Sequence, residues 1–222
     1  MLRRFASRKD TEEESSIMKK IILSLTILWL VTVLANFSRL NLYLGLFILA
    51  AAGERFWETF LLSKQNIFDK KSEFDWLFRI VSYYYILIMF GTVLEQLAIP
   101  KRLSPALVTT GAFIYLTALT LRLCAIRALG GSWNTCVLGK IKRRLIARRL
   151  IKKGPYQILR HPIYFGTILE TLSLPLIFNS FYTLGFVILV YTPLIILRAH
   201  LEEKELFRIF GKGYLNYRAK TI

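Results

Sequence analysis

The sequence has 222 residues, 55% of them hydrophobic, with 31 Lys and Arg against 14 Asp and Glu for a formal net charge of +17. In a soluble chain that excess would point to nucleic acid, but here the cations fall between apolar runs that approach the roughly 20 residues needed to cross a bilayer core. Two cysteines, Cys124 and Cys136, and two histidines, His161 and His200, give neither a disulfide framework nor a metal-ligand spacing.

Taken in order, residues 1–16 form a cytosolic leader with Arg3, Arg4, Arg8 and Lys9. Its run Glu12-Glu13-Glu14 is wrong for the n-region of a cleaved signal peptide. Apolar runs then predict spans at 17–35, 40–62, 76–99 and 104–129, a four-span region over 17–129. The second span ends with Glu54, Arg55 and Glu58, placed at the inner border or facing the bundle interior. The third holds Tyr83-Tyr84-Tyr85, read as packing, and Glu95. From 130 to 222 the character changes. Residues 130–161 contain Gly130-Gly131 and nine cations: Lys140, Lys142, Arg143, Arg144, Arg148, Arg149, Lys152, Lys153 and Arg160. A fifth span runs from Pro162 to about Phe178 and, after the turn Asn179-Ser180, a sixth from Phe181 to Ala199, kinked at Pro193. The tail 200–222 is amphipathic and too polar to cross.

Charge sets the topology. With six spans the leader, the 63–75 connection, the 130–161 segment and the tail share one side, and the other side offers only Arg39, Lys101 and Arg102. The positive-inside rule puts both termini in the cytoplasm, of an inner or plasma membrane in a prokaryote and of the endoplasmic reticulum in a eukaryote. The fold class is therefore an all-α, polytopic membrane bundle of about six helices. The 140–153 cations are read as inside-loop charge touching anionic lipid, with no nucleic-acid partner.

Two stretches carry the candidate chemistry. In Gly154-Pro155-Tyr156-Gln157-Ile158-Leu159-Arg160-His161-Pro162-Ile163-Tyr164-Phe165-Gly166, each proline fixes φ, lacks an N–H and pushes its predecessor out of the helical region. His161 is then extended, and Pro162 opens a helix at its first position. Tyr156, Arg160, His161 and Tyr164 gather at one membrane border, as a ligand site or as an interfacial anchor. The last span runs into the second stretch, where Arg198 and Glu202 share a helix face at i,i+4 and Glu203, Phe207 and Phe210 lie on a neighbouring one. Alone, such a pair is worth a few tenths of a kcal/mol. The two-residue turn at 179–180 makes the last two spans neighbours, so their cytosolic ends meet, with His161 and Glu202 in one pocket. Glu170 and Glu95 are intramembrane carboxylates, functional candidates by default, whose other readings are pairing in the bundle or a place near the far border.

The blocks Gly154-Pro155-Tyr156…Arg160-His161-Pro162-Ile163-Tyr164-Phe165-Gly166 and Arg198…Glu202-Glu203…Leu206…Phe210-Gly211…Tyr214…Tyr217 resemble the isoprenylcysteine carboxyl methyltransferase family, part of a wider group that includes phospholipid N-methyltransferases. The resemblance covers about the last 90 residues. It implies a cytosolic S-adenosyl-L-methionine pocket at the C-terminal helices. Leu150, Ile151, Tyr156, His161, Pro162, Ile163, Tyr164 and Glu202 match cofactor-contacting positions, Arg198 matches an arginine assigned to the methyl acceptor, and Arg160, Arg198 and Glu202 are the candidate catalytic set. Gly131-Ser132-Trp133-Asn134 looks like the segment entering the site. The match departs at Leu138, where the family can carry a glutamine. The implied partners are membrane lipids and a lipophilic acceptor, a prenylated cysteine or a lipid, with no metal. A phospholipid-amine or isoprenoid methyltransferase, and a non-enzymatic lipid-binding scaffold, stay open beside it.

Overall fold

The computed structural model describes residues 42–56, 75–99, 102–130 and 150–222. The leader, the first expected span, the 131–138 segment and the 140–149 cations lie outside the described residues. Within them every regular element is helical and no strand occurs. In chain order these are α1 (Leu42–Phe56), α2 (Asp75–Ala98), α3 (Pro105–Leu129), a 3-10 turn (Gly154–Gln157), α4 (Pro162–Ile177), α5 (Phe181–Phe186), α6 (Thr192–Phe210) and α7 (Lys212–Arg218). Three helices are long and apolar enough to cross a membrane: Arg79–Ala98 within α2, all of α3, and the continuous rod Phe181–Phe210. α4 is as apolar but has only 16 residues.

Prolines place the helix starts. Pro105 and Pro162 sit at the first turns of α3 and α4, where a missing N–H costs nothing. The disturbance expected at Pro193 takes the form of a π turn over Val187–Tyr191, just before it. Pro193 cannot donate to the Leu189 carbonyl, and a locally widened winding takes up the missing bond.

The turn between α4 and α5 is held on every side. Asn179 adopts φ 54, the left-handed conformation asparagine tolerates best after glycine. The Ser180 N–H donates to Pro175 O and the Asn179 N–H to Leu176 O, closing the end of α4. The Asn179 amide reaches Arg102 O at 3.2 Å, and the Ser180 hydroxyl reaches Thr92 O at 3.2 Å. Glu95 accepts from the Tyr182 and Thr183 N–H groups at 3.2 and 2.9 Å. A carboxylate there satisfies orphan donors at the positive end of the rod's dipole. Glu95 is thus a cap at the border opposite the motif.

α3 and α4 pack antiparallel and most extensively of all pairs, through small residues. A Cβ on Gly111 would stand 2.7 Å from Ile177 Cγ1, and one on Gly166 would stand 2.5 Å from Arg122 Cγ. Such close approach is how helices associate where lipid replaces water and hydrophobic attraction between them vanishes. Across this seam Arg122, 1% exposed, hydrogen-bonds Glu170, 2% exposed. Tyr85 of α2 donates to the other oxygen of Glu170 at 2.8 Å, and Glu54 of α1 lies 3.5 Å from Arg122. Glu170 therefore pairs within the bundle, and Glu54 faces its interior.

Candidate active site

The rod returns along α4, so the end of one helix lies beside the start of the other, at the border opposite Glu95. Gly154 opens the 3-10 turn at φ +61, where a side chain would be strained. Leu150 and Ile151, both half-buried, lead into that turn. His161 takes φ −127, ψ 61, outside the helical region, and Pro162 follows, buried, with Ile163 half-buried behind it.

Around Tyr164 three groups converge, His161, Arg198 and Glu202. The His161 ring stacks on it, with centroids 5.5 Å apart and planes inclined by 19°. The Arg198 guanidinium carbon stands 5.2 Å from the Tyr164 centroid, a cation–π contact. Tyr164 also lies within electrostatic reach of the Glu202 carboxylate and the Arg198 guanidinium. His161 Nδ1 is 4.0 Å from Glu202 Oε2. The expectation that His161 and Glu202 meet is realised geometrically.

One residue on, Glu203 faces a different set. Arg160 Nη1 lies 2.6 Å from its Oε1, His161 Nε2 lies 3.4 Å from the same oxygen, and Arg218 Nε lies 3.8 Å from Oε2. Arg160, a candidate catalytic residue by resemblance, is thus bound to Glu203. The adjacent glutamates divide the work: Glu202 faces Tyr164 and Arg198, while Glu203 gathers cations from the motif loop and from α7.

α7 folds back on the motif. Tyr217 Oη donates to the Tyr156 carbonyl at 2.8 Å; the Arg160 N–H donates to Ile222 O, and the Ile222 N–H to Ile158 O, both at 2.9 Å. Burial, reinforced by Glu202 and Tyr217, pushes the Tyr156 phenol far above its ordinary range. Burial raises Tyr217 as well. It pushes Tyr214 up to about 12, aided by Glu203 and opposed by Arg160 and Arg218. All three phenols are neutral near pH 7. Among the buried polar atoms here, Arg160 Nε, His161 Nε2 and Tyr214 Oη make no hydrogen bond within the described residues.

The raised phenols set a pH window. Between the unfolded value near 10 and about 12, the folded state holds the Tyr214 proton more tightly, so stability falls as pH rises through that range. Tyr214→Phe, which deletes an unpartnered hydroxyl, is expected to leave thermal stability at pH 7 almost unchanged and to reduce the loss between pH 10 and 12. Thermal unfolding of both proteins across that range checks it; an unchanged alkaline slope would assign the loss elsewhere.

Arg122 and Arg218 escaped the reading of the sequence, and Tyr214, though part of the second block, was given no role there. For Arg122 the signal was present, an arginine inside an apolar span. For Arg218 it was not, because its partner is set by the fold-back after Gly211.

In this helical membrane protein the polar groups converge where two adjacent helices reach one border. The chain belongs to the isoprenylcysteine carboxyl methyltransferase family, whose model matches residues 109–208. The family is one of membrane methyltransferases. The match begins in the first half of α3 and reaches the last turn of α6, so it takes in the motif loop, Arg198, Glu202 and the Arg122–Glu170 seam. Over 122 residues the chain is also 31% identical to the uncharacterized protein YpbQ of Bacillus subtilis (strain 168), a stretch amounting to 55% of this chain and 69% of that one.

Proposed function

We propose that the protein is a six-span S-adenosyl-L-methionine-dependent methyltransferase, with both termini and the site cytosolic, acting on a lipophilic acceptor. The acceptor class favoured is a prenylated cysteine bearing a free carboxylate. The observation that carries this reading is the convergence of His161, Arg198 and Glu202 on Tyr164.

The residues present fit such a cofactor. Orphaned Arg160 Nε, His161 Nε2 and Tyr214 Oη, beside Glu202 and Glu203, suit the carboxylate and ammonium of an amino-acid end group. Leu150, Ile151, Tyr156, Pro162, Ile163 and Tyr164 would line the rest. When bound, the cofactor supplies an electrophilic methyl group on a sulfonium. An acceptor carboxylate is ionised at neutral pH, so the protein's residues need remove no proton. Their task is to bind, align and exclude water, which supplies several kcal/mol of a barrier. Arg198, with its planar fork, holds a carboxylate bidentately, and the Tyr164 face keeps the guanidinium flat.

The test is calorimetric titration of detergent-purified full-length protein with S-adenosylhomocysteine, beside His161→Ala and Glu202→Ala. Binding in the parent and at least tenfold weaker binding in both folded variants is expected. An unresponsive parent, or variants that bind as the parent does, would overturn the assignment.

A further inference from the structure

The first turn of α4 carries His161 and Tyr164, so the placing of that turn depends on how α4 sits along α3. Apolar packing over small residues fixes such a register weakly. Gly111, Ala118 and Gly166 permit close approach, and the tight fit of Gly111 against Ile177 gives a steric preference for the present register but no directional bond. One feature of the seam is directional. Gly166 leaves the space in which the Arg122 side chain lies against α4, and Glu170, four residues deeper on the same face, receives the guanidinium. A one-turn slide, about 5.4 Å, would part this buried pair and drive Arg122 into whatever replaced Gly166. Two further helices meet the same point, α2 through Tyr85 and α1 through Glu54.

We propose that Arg122 and Glu170 are positioning residues, a charged register lock between α3 and α4 that sets the height of the His161–Tyr164 turn in the site. Tyr85 holds Glu170 in the orientation that accepts Arg122. The pair touches neither ligand. Its effect on cofactor affinity rests on the proposed function, whereas its effect on helix register does not.

The experiment uses full-length protein in lipid nanodiscs, with Cys136→Ser and spin labels on the exposed Cys124 of α3 and on Phe165→Cys of α4. Glu170→Gln is expected to shift or broaden the interlabel distance by several ångströms. In the unlabelled protein it is expected to weaken S-adenosylhomocysteine binding about tenfold. Tyr85→Phe moves both in the same direction by less, and Gly166→Ala reproduces the distance change; these two decide the matter where Glu170→Gln does not fold. Glu95→Gln, a carboxylate lost at the opposite border, is the control. It is expected to lower thermal stability without moving the distance or the affinity. An unchanged distance in Glu170→Gln overturns the proposal, as does an equal loss of affinity in Glu95→Gln. A parent that binds no cofactor defeats the functional reading alone, and the distance then decides the lock.

Discussion

Arg198→Ala is expected to lower kcat/KM for a prenylated-cysteine acceptor about 100- to 1000-fold while changing S-adenosylhomocysteine affinity only a few-fold. The magnitude follows from removing a buried charged donor that, on the proposed function, orients a reacting carboxylate, roughly 3–4 kcal/mol of transition-state binding. Arg198 is 6% exposed and lies over the Tyr164 ring, so it acts in a place where water screens little. Arg198→Lys should recover only part of the loss, because an ammonium keeps the charge but not the planar fork. The measurement is radiolabelled methyl transfer into a base-labile product. Equal losses of acceptor turnover and cofactor affinity would assign Arg198 to the cofactor instead. A product stable to base would replace the carboxylate acceptor with an amine.

The helices were legible because lipid imposes long apolar runs and because proline marks their starts. α3 begins at Pro105 and α4 at Pro162, within a residue of the spans expected at 104 and 162. The meeting of His161 and Glu202 was legible too, since a two-residue turn leaves adjacent helices no choice but to return together. Side-chain partners were harder. Glu202 and Glu203 are consecutive, yet one faces Tyr164 and the other collects Arg160, His161 and Arg218. That division depends on the rotation of α6 and on the fold-back of α7, which carry no one-dimensional signature. Glu170 could be read as paired, and Arg122 stood out as an arginine inside an apolar span, but nothing in one dimension joins two residues 48 apart. Glu95 likewise became a cap only once the Asn179 turn was placed beside it.

Arg122→Ala is expected to be the most destabilising single change in the bundle, by about 3–5 kcal/mol. Most of that cost comes from the carboxylates it strands and little from the contact it removes. Glu170 is 2% exposed and would keep only part of its present set of donors, and Glu54 would lose a cationic neighbour at 3.5 Å. Against a typical total of about 5–15 kcal/mol, the loss lowers the unfolding midpoint on the order of 10 °C. Glu170→Ala should cost somewhat less, since the guanidinium loses its nearest carboxylate but keeps Glu54 at 3.5 Å. Arg122→Leu combined with Glu170→Leu should then be less damaging than either alanine variant, because replacing both partners with apolar groups leaves fewer buried charges without a counterion. Thermal unfolding in detergent, followed by tryptophan fluorescence, ranks the three. A double variant as unstable as the sum of the single changes would mean that the two side chains are not coupled, and would overturn the account in which each alanine variant strands its partner's charge.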